Sequence, residues 1–308
     1  MTDHSQAEES QADDSLRVPT LPRRQLARIL RDGRDTAGLS IARAAALVDL
    51  SKAALQRYET GRNASISRPH IRALCELYEF DGERTKFVLE LAEAAKKRSQ
   101  TENYEDIISD TFQLFTGLET IAVMQFSYSL TMPGLLQTPA YAEAITKKWV
   151  DSRKELDSSA TDRLVKLRMN RQRAIKRSVH PLQLEAFIDE SALYQQLAGP
   201  DVMREQLRCL LDASQKSNVT VRIHPFSAGY PLGMANATFY ILDFPEARSG
   251  EMQEPTLTFL ETGWRTAYLN DPTVVDDYKR FADALRGESH SQSDTRQLIK
   301  TVIKRYER

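Results

Sequence analysis

A short amphipathic segment, SKAALQRYETGR at residues 51–62, constrains the fold more than any other feature of the chain. On a helical wheel of about 100° per residue, Ala54, Leu55 and Tyr58 fall on one side. The opposite side is formed by Lys52, Ala53, Gln56 and Thr60, with Arg57 on its flank. Because an isolated helix of this length is not stable in water, neighbouring segments must cover its apolar side.

The segment just before it, SIARAAALVDL at residues 40–50, has a narrow apolar face of its own. This pattern predicts a helix-turn-helix, in which Ser51 caps the second helix. Asp49 falls in the turn and tolerates the left-handed backbone that such a turn requires.

A second helix of this kind presents its N-terminal and outer residues to base edges in the major groove of DNA. Gln56 is suited to pair with adenine, Lys52 or Arg57 to reach guanine or phosphate, and Ala53 to contact a thymine methyl group. Alternatively, Arg57 is tied to its own helix or simply solvated. The predicted DNA-binding set is completed by Ser51, Arg43 and Arg62, of which the two arginines are candidates for salt-sensitive phosphate contacts.

The charge distribution agrees with this interpretation, although the net charge of the whole chain is only −1. Residues 1–20 carry a net charge of −4, residues 21–100 carry +6, and the remainder carries −3. A basic segment between two acidic ones is typical of a nucleic-acid-binding domain within a larger protein.

Three regions are expected: a disordered acidic tail at 1–20, an all-α domain of five helices at 21–100, and a larger α+β domain at 101–308. Within the last region the sequence predicts helices at 106–127, 138–145, 161–177, 200–216, 272–286 and 293–306. Strands are predicted at 182–189, 219–226, 237–244, 256–262 and 266–269. Strands in the middle and helices at both ends favour an α+β domain, which we expect to be the regulatory or partner-binding part of the chain.

Residues 38–62, GLSIARAAALVDLSKAALQRYETGR, resemble the helix-turn-helix of the XRE, or lambda-repressor-like, family. The matching positions are Gly38, Leu39, Ser40, Ala45, Ser51, Arg57, Tyr58, Glu59 and Gly61. The resemblance implies a chiefly structural role for Glu59. Ile41 replaces a glutamine that often contacts phosphate, so that contact is expected either to be lost or to be taken over by Arg43. Gly33 replaces a core leucine, which predicts a less stable domain or one that depends on the rest of the chain.

Four later blocks resemble, in order, a widespread actinobacterial domain that follows this type of helix-turn-helix in regulators of the WhiJ kind. They are MPGLLQTPAYAEAI (132–145), the segment 187–231, FYILDFPE (239–246) and the segment 260–285. That domain is described as antitoxin-like. The resemblance implies a transcriptional regulator of a kind that is often encoded beside a small partner protein.

Other functional classes find little support in the sequence. Phosphate-binding glycine loops, a nucleophile elbow and metal-ligand spacings are missing, so we expect neither an enzyme nor a bound cofactor or metal. Cys75 and Cys209 are expected to be reduced core residues. No apolar run approaches the length of a membrane span and no signal peptide is recognisable, so a cytoplasmic protein is expected.

Three features remain open at this level. The loop PFSAGYPLGM (225–234) either packs over the sheet or grips a partner or ligand through Phe226, Tyr230 and Leu232. The basic helix 161–177 is expected to be a solvated face rather than a second nucleic-acid site. We expect a regulator that binds double-stranded operator DNA as a homodimer; the alternatives are an antitoxin-like module that sequesters a small protein, and a small-molecule sensor.

Overall fold

The structure is a computed structural model that describes residues 21–62, 66–96, 108–153, 156–157, 159–178, 180–197, 199–245, 254–262 and 266–307. The chain divides into two compact units between Gly117 and Leu118. The predicted acidic tail and the predicted domain boundary near residue 100 lie outside the described residues. Within these ranges, no helix is long and apolar enough to cross a membrane.

Five helices form the described part of the N-terminal unit up to residue 96, as the sequence predicts. They are α1 (Leu21–Thr36), α2 (Ile41–Leu47), α3 (Lys52–Thr60), α4 (Arg68–Leu77) and α5 (Gly82–Lys96). The hydroxyl of Ser40 accepts a hydrogen bond from the Arg43 amide at 3.2 Å and that of Ser51 from the Ala54 amide at 3.1 Å. Both bonds satisfy amides that a helix start leaves without a partner, which fixes where α2 and α3 begin.

The ends of these helices are also set by local chemistry. Residues with left-handed backbone follow α1, α2 and α3, namely Gly38 (φ +65°), Asp49 (φ +54°) and Gly61 (φ +70°). After α2, the Leu50 amide donates to the Ala45 carbonyl at 2.9 Å, which closes the helix end. The prediction of a left-handed Asp49 in the turn is confirmed.

One apolar core holds the five helices together. Leu30 of α1, Ala44 of α2, Leu55 of α3, Ile71 of α4 and Val88 of α5 are all fully buried in it. Burying a side chain of the size of Leu or Ile stabilises a fold by about 1.5–3 kcal/mol. This core therefore supplies the cover that the apolar side of α3 requires.

Gly33 lies in α1 where two aromatic rings approach the helix closely. A Cβ at this position would lie 2.5 Å from Cζ of Phe80 and 2.9 Å from Cδ2 of Tyr78. The two rings contact each other edge to face, with centroids 6.0 Å apart. They fill the space beside position 33, so a larger residue there would have to displace at least one of the two rings.

A six-stranded sheet forms the centre of the C-terminal unit. Its strands are β1 (Met124–Ser129), β2 (Gln183–Asp189), β3 (Val219–His224), β4 (Thr238–Asp243), β5 (Leu257–Glu261) and β6 (Thr266–Leu269), in the order β3-β2-β1-β4-β5-β6. β1, β2 and β3 are parallel, and β4, β5 and β6 are added as antiparallel neighbours. The predicted α+β class and five predicted strands are confirmed.

The prediction of one helix over 106–127 is wrong at its C-terminal end. The helix α6 spans Asp110–Ile121 and contains the division between the two units, and β1 follows after two residues. The intervening residues, Ala122 and Val123, include no glycine or proline to mark the change. Pairing with β2 on one side and β4 on the other decides the conformation of β1, and this long-range pairing leaves no local sequence signal.

Helices cover both faces of this sheet. The connections between the parallel strands contain α7 (Pro139–Asp151), α8 (Ser159–Arg171), α9 (Arg173–Lys176) and α10 (Pro200–Ala213). These crossovers run in the same direction along the sheet, and right-handed connections then place their helices on the same face. The other face packs against α11 (Pro272–Glu288) through a cluster that includes Phe126, Phe239 and Phe281. A last helix, α12 (Gln292–Arg305), packs beside β3 and α10.

The predicted basic helix at 161–177 is divided between α8 and α9, and two of its arginines point inward. Arg171 pairs with the buried carboxylate of Glu119 through two hydrogen bonds, at 2.7 and 2.9 Å. Arg168 donates to the side chain of Gln137 at 3.3 Å. A solvated face therefore describes only part of this segment, such as the exposed Lys166 and Lys176.

Candidate nucleic-acid interface

Helix α3 presents one side to the core and the other to solvent. Leu55 is fully buried and Tyr58 is 6 % exposed, whereas Lys52, Ala53 and Gln56 are exposed. The 3.6-residue repeat of the helix places these two sets on opposite sides, as the sequence predicts. The buried side of α3 therefore anchors the helix in the core and fixes the orientation of its exposed side.

The C-terminal end of α3 is fixed to α1 by a buried ion pair. Glu59, which is 3 % exposed, accepts hydrogen bonds from Arg34 Nε at 2.7 Å and Nη2 at 3.0 Å. Arg31 donates to the Glu59 carbonyl at 2.6 Å. The hydrogen bond to Glu59 raises the pKa of Arg34 above its usual value. Glu59 therefore positions α3 and is not available to a ligand.

A further contact fixes α3 to the start of α4. The phenol oxygen of Tyr58 accepts a hydrogen bond from the Ser67 amide at 3.0 Å, and its ring meets that of His70 edge to face at 6.5 Å. The C-terminal turn of α3 thus has partners both in α1 and at the start of α4. Rigid support of this kind holds the outward side chains in one orientation, which specific recognition requires.

The outward cations of this region are available to a ligand. Lys52, Arg57, Arg43 and Arg62 are exposed, and their side chains make no hydrogen bond or ion pair within the part of the chain that the structure describes. Gln56 is exposed and its amide group is equally unengaged among these residues. Arg57 is therefore not tied to its own helix among the described residues, and its contact with guanine or phosphate stays a prediction.

The remaining members of the predicted set lie beside these residues. Ala53 is exposed on the first turn of α3, next to Lys52. Ser51 accepts the capping bond from Ala54, and its hydroxyl hydrogen remains able to donate to a phosphate oxygen. Arg43 lies on α2 and Arg62 directly after α3. The seven predicted residues therefore come from one helix-turn-helix pair and its ends.

The other predicted residues lie in the C-terminal unit, on the connection between β3 and β4. We call residues 225–237 the strap. Because β4 lies next to β1, the strap must pass over the carboxyl ends of β2 and β1. Phe226, Tyr230 and Leu232 are 61 %, 67 % and 53 % exposed, so packing over the sheet does not describe these side chains.

His224 precedes the strap and is buried rather than solvated. Its Nε2 lies 2.8 Å from the Gly229 carbonyl oxygen and its Nδ1 lies 3.4 Å from Oγ of Ser289. It therefore ties the strap to the end of β3. Over the described residues, His, Cys, Asp and Glu form no group that could hold a metal ion.

A shallow cleft of about 480 Å³ lies over β2 and β3. It is lined by Glu185, Phe187, Thr220, Arg222, Arg286, Ser291 and Gln292. Arg222 donates to the carbonyls of Arg286 and His290, both at 2.7 Å, and Arg286 is paired with Glu185 at 2.8 Å. The charges of the cleft thus serve the fold. Its residues come from four separate segments, which is why no local sequence pattern pointed to it.

Comparison with known families assigns both units. Residues 25–87 match the model of a helix-turn-helix domain. Residues 112–301, more than half of the chain, match the family described as a domain of unknown function (DUF5753). No curated protein and no solved structure matches the chain. The chain belongs to the DUF5753 family, and it carries a helix-turn-helix domain at its N-terminus.

Proposed function

We propose that this protein is a sequence-specific DNA-binding transcriptional regulator that acts as a homodimer and has no enzymatic activity. The observation that carries the proposal is the outward face of α3, where Lys52, Gln56 and Arg57 are exposed and unengaged among the described residues. A helix-turn-helix with such a face places its second helix in the major groove of double-stranded DNA.

The proposed contacts follow from the chemistry of each side chain. Gln56 donates to and accepts from an adenine edge, while Lys52 and Arg57 reach guanine or phosphate. Ala53 lies against a thymine methyl group. Ser51, Arg43 and Arg62 bind the sugar–phosphate backbone on either side and set the register of α3 on the duplex.

A homodimer supplies the specificity that one small domain lacks. A single recognition helix contacts few base pairs, and two copies on half-sites about one helical turn apart read twice as many. We assign dimerisation and signal reception, from a small protein or a ligand, to the C-terminal unit. The XRE-type sequence pattern of residues 38–62 and the net charge of +6 over residues 21–100 support the DNA-binding part of the proposal.

A gel-shift titration of the DNA upstream of its own gene, against a shuffled duplex of equal composition, tests this function. Wild type should prefer the upstream sequence, and Lys52→Ala combined with Gln56→Ala should remove the preference. Lys86→Ala, an exposed cation on α5, is the matched control and should leave the preference unchanged. Equal affinity of wild type for both duplexes would contradict the proposal.

A further inference from the structure

The strap carries an unusual concentration of exposed apolar surface. Phe226, Tyr230, Leu232 and Met234 are between 53 % and 67 % exposed. They account for four of the seven large hydrophobic side chains that are exposed among the described residues. A fifth, Leu130, directly follows β1, and its amide donates to the hydroxyl of Thr238, the first residue of β4 after the strap. Among the described residues of this unit, the large exposed apolar side chains therefore lie together at the carboxyl ends of the parallel strands.

Several contacts fix the strap in this position. The amide of Phe226 donates to the Glu190 carboxylate at 3.0 Å, and its ring stacks on Tyr194 at 6.5 Å. His224 is bound to the Gly229 carbonyl, and Pro231 is buried. A surface held in one conformation loses little conformational freedom when it binds, which favours association.

Leu232 in the strap has a strained backbone conformation and an exposed side chain. Its φ of +54° lies in the left-handed region, which a leucine seldom adopts. Its side chain is 53 % exposed, so burial within the chain offsets only part of this cost. Strain of this kind is typically kept where a surface has a function.

The strap is also uncharged. No Lys, Arg, Asp or Glu occurs from Pro225 to Leu242, in a chain of which 28 % is charged. Its four large side chains expose roughly 500 Å² in total, which is as much as the largest apolar patch of a typical monomer. A nucleic acid as partner is disfavoured because the strap offers no cation.

We propose that the strap binds the strap of a second copy of this chain across a two-fold axis. In such an interface each side chain faces a region of its own composition, so any charge near the axis would face a like charge. The strap meets this condition because it is apolar and uncharged. Two copies would bury at most about 1,000 Å² from these side chains, so neighbouring residues must also contribute for the interface to reach the size of specific ones. The inference rests on the proposed function only in taking the protein to be a dimer, and it names the surface.

Analytical ultracentrifugation of the full chain over a range of micromolar concentrations tests this surface. Wild type should sediment as a dimer, and Tyr230→Ser combined with Leu232→Ser should raise the dissociation constant by roughly 100-fold. Phe87→Ser is the matched control, because Phe87 is 54 % exposed but lies on α5. All three proteins should give the same far-UV circular dichroism spectrum, since the substituted side chains are exposed in the folded monomer, whereas the double variant should melt at a lower temperature than wild type because it loses the stabilisation by dimer formation.

Three results would overturn the inference: a monomeric wild type, a double variant that remains a dimer, or a Phe87→Ser variant that dissociates. A monomeric wild type that binds a small protein through the strap is one form of the first result. Binding of each protein to fluorescent DNA is measured separately. A wild-type dimer without any sequence preference contradicts the proposed function alone, whereas a sequence-selective dimer that the double variant retains contradicts this inference alone.

Discussion

Gln56 and Arg62 are expected to contribute to DNA binding in different ways, although both are exposed near the recognition helix. Gln56→Ala removes a directional base contact, so affinity for the preferred duplex should fall by about 1–3 kcal/mol with little change on random DNA. Arg62→Ala should weaken both duplexes equally and reduce the slope of log K against log salt by about 1. Fluorescence anisotropy titrations at several salt concentrations measure both quantities. An equal loss on both duplexes for Gln56→Ala would show that it does not read bases.

Gly33 provides a residue-scale test of the packing in the N-terminal unit. Alanine is the better helix former by about 1 kcal/mol, yet Gly33→Ala should lower the free energy of unfolding by about 1–3 kcal/mol, because its Cβ collides with Phe80. Gly287→Ala in α11 is the control; no atom lies within 4 Å of its added Cβ, so that variant should be as stable as wild type or more so. Urea denaturation followed by circular dichroism measures both. A stabilised Gly33→Ala variant would contradict the observed packing.

The roles of individual residues could be predicted from the sequence where they depend on interactions with neighbouring residues in the chain. Ser51, Asp49 and Gly61 could be placed because capping and left-handed turns depend on neighbouring residues only. The role of Gly33 could not be predicted, since it depends on a ring that lies far along the chain at Phe80. The pairing of Arg34 with Glu59 was missed for the same reason, and only the family resemblance pointed to a structural Glu59.

Among the helices, α3 begins at an N-cap, Ser51, that is expected to contribute both to the stability of the N-terminal unit and to DNA binding. Ser51→Ala removes the capping bond to Ala54 and should lower the free energy of unfolding by about 1 kcal/mol. Ser51→Asp keeps a capping oxygen, so its stability should match wild type, but its negative charge would face DNA phosphates and weaken binding. Melting curves and anisotropy titrations of the two variants separate the effects. DNA affinity that followed stability in both variants would contradict a position of Ser51 beside the phosphate backbone.

Secondary structure was predicted least well for the elements whose conformation depends on pairing with distant parts of the chain. The five N-terminal helices and five strands were predicted correctly because their periodicity and turn residues are explicit. The sequence pattern predicts helix over β1 because α6 leads into this strand without a glycine or proline. The strands that pair with β1, namely β2 and β4, are distant in sequence. The inward arginines of α8 were missed likewise, since Glu119 and Gln137 receive them from other segments.

At the scale of the whole molecule, a homodimer imposes a spacing on its operator. Two half-sites about one helical turn apart present the same groove face to two recognition helices. Inserting about half a helical turn between them should reduce the affinity of wild type to that for a single half-site, because the second helix then faces the wrong side of the duplex. Titrations of a spacing series by gel shift measure this. Affinity independent of spacing would argue against paired binding.

Sequence-specific regulation by this protein requires that the outward face of α3 recognises bases. Selection of bound duplexes from random DNA by the full-length protein, followed by sequencing, tests that claim directly. Wild type should enrich one motif, and Lys52→Ala combined with Gln56→Ala should bind DNA without enriching it. The same motif recovered from both proteins, or no motif recovered from wild type, would contradict the claim.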